Sequence, residues 1–377
     1  MVTTTSMSVT VQAKELKSAL AWVGKAAHKT NYSVVLNVSP DSVVVASTNG
    51  EVEASVFIPP CVQPTATWDI ALPIGDLRKI LSGAPAKEDV TISYAGSNQV
   101  EISYGIARFN LKGKASDNVW LFNALEDMEY CAMINLAAIA KVAVGRASND
   151  TRPVLQCVHI DELGVYPAAT TADGWRLATI LLEAAASSLA DVVGDAGLNI
   201  PDDIVRMLPA KGYATLSISS ERVGARGCRS LMLALSDGRQ IRGYEDGGNY
   251  PDYSRLIPTG YDAKVTLSTS EFIAAIKQLK PVAERGSSIV RLVYDDGKLA
   301  ISTRAEEVSD AVVTLAATRD GAEAFHIALN HRYIAEALAT IESETVSIGM
   351  TTPSAVAVFR GGDADPLWLI MPMFVQW

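Results

Sequence analysis

At 377 residues, 49% apolar and 20% charged, the chain has room for two or three domains and the composition of a soluble globular protein. No apolar run nears the roughly 18 residues of a membrane span, and the first residues, Met1-Val-Thr-Thr-Thr-Ser-Met-Ser, have neither the basic start nor the apolar core of a secretory signal. Cys61, Cys131, Cys157 and Cys228 are scattered without a C-x-x-C pair, which argues against zinc and disulfides and for a reducing cytoplasm, while a net charge of −10 argues against a uniformly basic nucleic-acid binder.

In chain order, Val9 and Val11 open a short strand, and 12–27 reads as a helix with Leu16, Leu20 and Val23 along one apolar face. A hairpin follows over 34–38 and 43–47, then a strand over 52–58 behind Asn49-Gly50. A strand at 69–73 runs into a helix over 74–81, and a second hairpin, 90–94 with 100–104, precedes Arg108-Phe-Asn-Leu-Lys112. The same order then returns: a helix over 135–147, strands at 155–160 and 165–170, and a strand behind Asp173-Gly174. There 197–201 leads into a helix over 202–208, with further strands at 213–219 and 231–235. It returns again with a helix over 269–279, strands at 289–294, 299–303 and 307–315, and 325–330 leading into a helix over 331–341. Strands at 346–350, 355–359 and 367–371 complete the third round.

The strand-to-helix junctions at Pro73, Pro201 and Asn330 recur roughly every 128–129 residues, and Leu16, Ile139 and Phe272 occupy matching places in the first helix of each round. The expected fold is therefore α+β, three tandem copies of one domain of about 125 residues, a size that can fold around its own core. The expected boundaries give domains at 1–127, 128–257 and 258–377.

Signs of catalysis are missing. No P-loop, G-x-G-x-x-G or G-x-S-x-G is present, so no nucleotide, dinucleotide or hydrolase signature is found. His326 and His331 flank a strand-to-helix junction without metal-ligand spacing on one element. Asp202-Asp203 opens a helix, where acids suit the dipole, and Asp295-Asp296 makes a turn. Neither an enzyme nor a cofactor or metal site is expected.

Cation placement is more informative. Lys14, Lys17, Lys25, Arg78, Lys79, Lys141, Arg146, Arg206, Lys211, Lys277, Lys280 and Arg332 all fall on or beside the repeat helices, while acids gather in hairpins and turns such as Asp161-Glu162 and Glu245-Asp246. Solvation of amphipathic helices would account for this, but its repetition in three copies favours one cationic face in an acidic protein. At Asp173-Gly174 the glycine fits a tight reversal. Trp175 and Arg176 behind it are read two ways, as a packed ring with a solvated guanidinium or as the rim of a binding surface.

Four stretches carry a resemblance that runs the length of the chain: Thr171-Ala-Asp-Gly-Trp-Arg-Leu177, Tyr250-Pro-Asp-Tyr-Ser-Arg-Leu-Ile-Pro258, Leu329-Asn-His-Arg-Tyr-Ile334 and Leu367-Trp-Leu-Ile-Met-Pro-Met373. Asp150-Thr-Arg-Pro-Val-Leu155 and Arg108-Phe-Asn-Leu111 fit as well. Together they resemble the bacterial replicative sliding clamp, the beta subunit of DNA polymerase III. The resemblance implies three clamp domains per chain and two chains closing head to tail into a homodimeric ring, with helices lining the hole and antiparallel sheets outside. Helix cations would then face encircled double-stranded DNA without base readout, with His28, Lys29 and Asn149 on loops that approach it. The implied function is that of a polymerase processivity factor, non-catalytic and cytoplasmic at the nucleoid. Its implied partners are the replicative DNA polymerase, an ATP-dependent clamp loader and other proteins carrying a clamp-binding motif.

The resemblance also implies a pocket between the second and third domains for short glutamine- and hydrophobic-containing peptides. Carried over by position, it uses Leu155, Ala172, Gly174, Trp175, Arg176, Leu177, Pro251, Arg255, Leu256, Asn330, Tyr333, Ile370, Met371, Pro372 and Met373, and thioethers suit such an adaptable site. The implied dimer interface pairs Phe109 and Leu111 with Val282 of a second copy, and Arg108 with Glu306 or Glu307, with Pro281 close by. Trp175 stands where the family commonly has a smaller or polar residue, Ala172 replaces a hydroxyl residue, and Phe374-Val-Gln-Trp377 extends the tail, so a re-shaped pocket with its own peptide preference is expected. Such divergence suits a virus- or mobile-element-encoded clamp. The competing readings are a trimeric clamp of two-domain subunits, disfavoured by three repeats, a protein-binding repeat scaffold that encircles no DNA, and an enzyme with an unrecognised site, disfavoured by the missing motifs.

Overall fold

The computed structural model describes residues 7–27, 33–64, 66–94, 96–118, 128–149, 151–183, 194, 196–223, 227–305, 309–321 and 325–375. The expected site residues His28, Lys29, Glu306 and Glu307 lie outside these, as do Asp150 and the last two residues of the tail. The chain forms two compact units, one of Met1–Met133 with Gly212–Glu245, the other of Ile134–Lys211 with Asp246–Trp377. Compactness thus runs across the sequence repeat, because the second repeat gives its later strands to the first unit and its helices to the second.

The first unit holds, numbered in chain order, β1 (Met7–Gln12), α1 (Ala13–Val23), β2 (Ser33–Ser39), β3 (Ser42–Thr48), β4 (Val52–Ile58), β5 (Trp68–Pro73), α2 (Ile74–Ser82), β6 (Asp89–Tyr94), β7 (Gln99–Tyr104) and β8 (Ala107–Lys112). One sheet runs β1-β6-β7-β8, with β8 at its edge. The other runs β5-β2-β3-β4 and continues through β16 (Arg239–Tyr244), β15 (Cys228–Leu235) and β14 (Tyr213–Val223) to β9 (Met128–Asn135). Helix α1 buries Leu16, Leu20 and Val23 as its spacing predicts, but it starts after Gln12, which closes β1, and stops at Gly24, whose N–H caps the Leu20 carbonyl. Strand β16 escaped the sequence reading: only Ile241 among Arg-Gln-Ile-Arg-Gly-Tyr is a buried aliphatic side chain, so there is little apolar alternation to detect.

The second unit holds α3 (Leu136–Ala143), β10 (Val158–Leu163), β11 (Tyr166–Ala172), β12 (Arg176–Leu181), β13 (Leu198–Ile200), α4 (Asp202–Val205), β17 (Ala263–Ser268), α5 (Thr269–Arg285), β18 (Ile289–Asp295), β19 (Lys298–Ala305), β20 (Ser309–Gly321), β21 (Phe325–Asn330), α6 (His331–Leu338), β22 (Thr345–Met350), β23 (Ala357–Arg360) and β24 (Leu367–Ile370). Its strands form one 12-stranded sheet in the order β13-β10-β11-β12-β24-β23-β22-β17-β20-β19-β18-β21. Strands of the second and third repeats meet at β12 and β24, and that junction positions the site.

Three local differences from the sequence reading have physical causes. The expected strand at 155–160 begins with a 3₁₀ turn, Pro153–Gln156, because proline suits a first helical turn and cannot donate to a ladder. Helices α3 and α4 are shorter than expected; α3 starts only after Asn135, whose side chain accepts the Ala137 N–H as an N-cap. Helix α5 instead runs through Pro281 to Arg285, with Ala283 buried and the Gly286 N–H closing on the Val282 and Ala283 carbonyls. Fully buried Phe272 on α5 packs against Phe359 of β23 at 6.4 Å between ring centres. Truncation by Phe272→Ala leaves a cavity there, and urea unfolding is expected to show the second unit destabilised by about 3–5 kcal/mol.

Candidate functional site

Between β12 and β24 the register pairs Arg176 with Ile370, Leu177 with Leu369 and Ala178 with Trp368. Side chains alternate across a strand, so Leu177 and Leu369 share one face and Arg176 points to the other. On the first face Leu177, Leu369, Tyr253 and Val358 form a buried cluster, flanked by half-buried Ala172, Tyr250, Ile257 and Val356. One rung further, the Met371 N–H donates to the Trp175 carbonyl at 2.8 Å. This continues the ladder, yet here Trp175 is 57% and Met371 44% exposed. Leu256, in the 3₁₀ turn Ser254–Leu256, is 57% exposed as well. The result is an apolar trough whose inner end is packed and whose outer end is bare.

The trough is held from below and from the side. Asp173 Oδ1 accepts the Trp175 and Arg176 N–H groups at 2.9 and 3.0 Å, and Gly174 sits at φ +93°, which a side chain would strain. Tyr253 donates its hydroxyl to Asp161 at 2.6 Å, and the His159 ring stacks on Tyr250 at 4.3 Å. Burial raises the hydroxyl pKa of both tyrosines, and burial pushes the Cys157 thiol up to about 12, so no thiolate nucleophile forms beside the trough. Beyond Met371, Pro372 is buried, the Met373 N–H donates to the Ala328 carbonyl at 2.8 Å, and Phe374 is 87% exposed. Leu155 is buried in its 3₁₀ turn, Pro251 is exposed, and Asn330 caps α6 by accepting the Arg332 N–H.

Arg176 works on the opposite face. Its buried guanidinium donates to the Val144 carbonyl at 2.9 Å and to Asp173 at 3.1 Å, pairs with Glu336, and lies 4.5 Å from the Tyr333 ring centre. It ties the end of α3 to α6 and leaves the apolar surface to its neighbours. Tyr333 is raised by its partial burial, then by the Asp173 carboxylate. Lys141 is also committed, to Glu342 at 3.1 Å, Asp365 at 3.5 Å and the Ala364 carbonyl at 3.2 Å.

The remaining helix cations divide into spent and free. Lys17 donates to the Ala84 carbonyl and Arg78 to the Leu20 carbonyl, while Arg146 pairs with Asp202 at 3.0 Å. Arg206, Lys79, Lys280 and Arg255 are exposed with carboxylate neighbours in the same turn, and Lys25 lies 5.3 Å from the Trp22 ring centre. Lys14, Lys211, Lys277 and Arg332 are exposed, as is Asn149. Lys277, Lys280 and Arg332 rim a groove of about 370 Å³ between α5 and α6, floored by Ile273, Ile276 and Leu338. At the edge strand β8, Arg108 is exposed and Phe109 and Leu111 are half-buried, as is Val282 on α5. Among the described residues no cluster of metal-ligating side chains forms; His331 is buried, its Nδ1 3.2 Å from the Ser288 carbonyl.

Residues 254–374 match the family model of the DNA polymerase III beta subunit, C-terminal domain. Along nearly its whole length the chain is similar to the beta sliding clamp of Synechococcus elongatus, 23% identical over 97% of this chain and 99% of that one. It is likewise similar to that of Streptomyces coelicolor, 24% identical over 97% and 99%. Its fold matches the sliding clamp of Bartonella birtlesii, solved bound to griselimycin, with a TM-score of 0.83, 21% identity, and 98% and 100% of the two chains covered. The chain is thus similar to bacterial sliding clamps along nearly its whole length and shares their fold.

The trough gathers more residues than the motifs named. Tyr253, Val358 and Leu369 were not singled out by sequence reasoning, although Tyr253 lies inside a quoted motif and the alternation Leu367-Trp-Leu369 marks Leu369 as the neighbour of Leu177. Arg152 was missed too; it stands against Gly174. The loop that presents β24 is organised by Asp365. Burial raises the pKa of its carboxyl, but hydrogen bonds from the Glu342 N–H, the Ser343 hydroxyl and N–H, and the Gly362 N–H outweigh this and hold it below the usual range. A depressed pKa contributes stability that is present above about pH 3.9, the ordinary carboxylate value, and is lost as pH falls through the folded-state pKa. Urea titrations at pH 7 and pH 3 are expected to show Asp365→Asn destabilised by about 1–3 kcal/mol at pH 7 and losing less than the unsubstituted chain on acidification.

Proposed function

We propose that the protein is a DNA polymerase processivity factor, a sliding clamp that encircles duplex DNA without reading its sequence and holds polymerases through the apolar trough. One observation carries the reading: an exposed apolar surface at the β12–β24 junction, built on a chain with no catalytic signature in its sequence. Bare apolar patches on otherwise well-packed proteins mark partner sites, and Trp, Met and Arg are the side chains enriched there. The clamp acts as a non-catalytic accessory subunit, working in the cytoplasm at the nucleoid. No helix among the described residues is long and apolar enough to cross a membrane.

In this reading the chain carries three clamp domains, 1–127, 128–257 and 258–377, and two copies close head to tail into a ring. Among the described residues, edge strand β8 pairs only with β7, and the first half of β20, with exposed Val312, only with β19. Unpaired edges of this kind invite strand addition by a second copy. Lys14, Lys277 and Arg332 then face the encircled phosphates, while Lys141, Arg146 and Arg176 hold the framework that presents them. A separate ATP-dependent loader opens the ring, since the sequence has no P-loop. The scaffold alternative is disfavoured, because it leaves the unpaired cations of α5 and α6 without a role.

Two measurements test this. Mass in solution is expected to be about twice the 40.1 kDa of one chain, and loaded protein is expected to stay on circular DNA and leave linearised DNA. A monomer indifferent to DNA topology refutes the clamp reading. In the second, Lys277→Glu with Arg332→Glu is expected to weaken DNA retention at least about tenfold at moderate salt while leaving peptide affinity within about twofold, because neither side chain touches the trough.

A further inference from the structure

Encircled phosphates account for the exposed cations of α5 and α6, but not for the apolar hollow between the two helices. Ile273, Ile276, Lys277 and Lys280 fall at i, i+3, i+4 and i+7 on one face of α5, and His331, Arg332, Ala335 and Leu338 of α6 complete the lining. Ile276 and Leu338 are buried at the bottom, whereas Ile273 is 41% exposed on a stripe where a solvated helix carries polar residues. At about 370 Å³ the hollow is of the size that takes a small molecule. Its acids are spent, since Glu284 pairs with Lys280 at 3.7 Å and Glu336 with Arg176. Lys277 and Arg332 make no ion pair among the described residues, so the rim keeps two uncompensated positive charges. The buried His331 ring donates its Nδ1–H to the Ser288 carbonyl at 3.2 Å, and its Nε2 has no hydrogen bond among the described residues. Among those residues no phenylalanine, tyrosine or tryptophan lines the groove, so nothing there would stack on a base.

We infer that the α5–α6 groove is a binding site for a small amphipathic carboxylate, a free aliphatic acid of medium chain length. Its chain lies on Ile273, Ile276 and Leu338, and its carboxylate is received by Lys277 and Arg332 in charge-assisted hydrogen bonds. Such an occupant covers the bare isoleucine and answers the charge of the rim, and neither a neutral nor a cationic amphiphile does both. The bound acid engages the two cations assigned to DNA, so acid and duplex exclude one another. The site stands on the groove alone, whereas this competition rests on the clamp reading, and the test separates them.

Full-length protein is titrated calorimetrically with sodium decanoate below its micellar range, and in parallel with butyrate and decyltrimethylammonium. Decanoate is expected to bind one site with a Kd on the order of 0.1–1 mM. Butyrate, with little chain to bury, should bind at least about tenfold more weakly, and the decyl cation should not bind. Ala335→Trp fills the hollow from an exposed helix position and leaves both cations in place; it should weaken decanoate at least about tenfold. Lys277→Gln with Arg332→Gln should weaken decanoate about tenfold, the scale of a lost charge-assisted hydrogen bond. No decanoate binding, equal binding to Ala335→Trp, or equal binding of the decyl cation overturns the site. Affinity for a short fluorescein-labelled duplex is then read by anisotropy at low salt. Saturating decanoate should lower it roughly threefold or more in the unsubstituted chain and leave Ala335→Trp unchanged. An equal response of the two proteins overturns the competition while the site stands. A chain that binds no duplex counts against the clamp reading and refutes the competition with it, and the calorimetry still decides the site.

Discussion

The short antiparallel ladder between Arg176–Leu181 and Leu367–Ile370 is the constraint on which the second unit depends. It is where the strands of two repeats become one sheet, so it fixes how the helices behind them meet. It also decides which side chains surface in front. Because the side-chain period of a strand is two, a slip of one residue would bring Arg176 and Trp368 to the front and turn Leu177 and Leu369 to the back. Register and exposed apolar surface are here the same property.

The two faces of that ladder divide the work. The back face is electrostatic: Arg176 pairs with Glu336 and donates to Asp173 and the Val144 carbonyl, Lys141 pairs with Glu342 and Asp365 and donates to the Ala364 carbonyl, and both are largely withdrawn from water. Removing one partner from such a buried pair leaves the other charge stranded, which makes these contacts more restrictive than their net contribution to stability suggests. The front face is apolar, well packed near Tyr253 and Val358 and bare near Trp175. The surface is thus packed at one end and bare at the other. Lys277 and Arg332, exposed and without an ion pair among the described residues, lie on helices that this framework holds in place.

Much of this was legible in the sequence, and the exceptions are instructive. The Asp173-Gly174 reversal was readable because glycine and an Asx side chain have few other uses at that spacing. The face taken by Arg176 was not assigned, although Trp175 and Leu177 being apolar neighbours two residues apart implied that the arginine between them turns away. Lys141 was out of reach by any local argument. It has the look of a solvated helix lysine, and only the return of Glu342 and Asp365 from far along the chain shows it to be bound. The same holds for Arg152, whose position against Gly174 depends on tertiary packing and on no pattern around it. Sequence periodicity reports what faces inward; it does not report which charges are already spent.

The ladder also carries a temporal consequence. Its two strands are among the most distant partners in the described chain, since Leu177 can meet Leu369 only after the stretch between them, about half of the polypeptide, has been made. Contacts of such long sequence separation close late, once local hairpins have already formed. A chain arrested before its third repeat could hold folded strands and exposed helix cations, yet half of the trough would be missing. The apolar surface therefore exists only once both strands have been made and have paired.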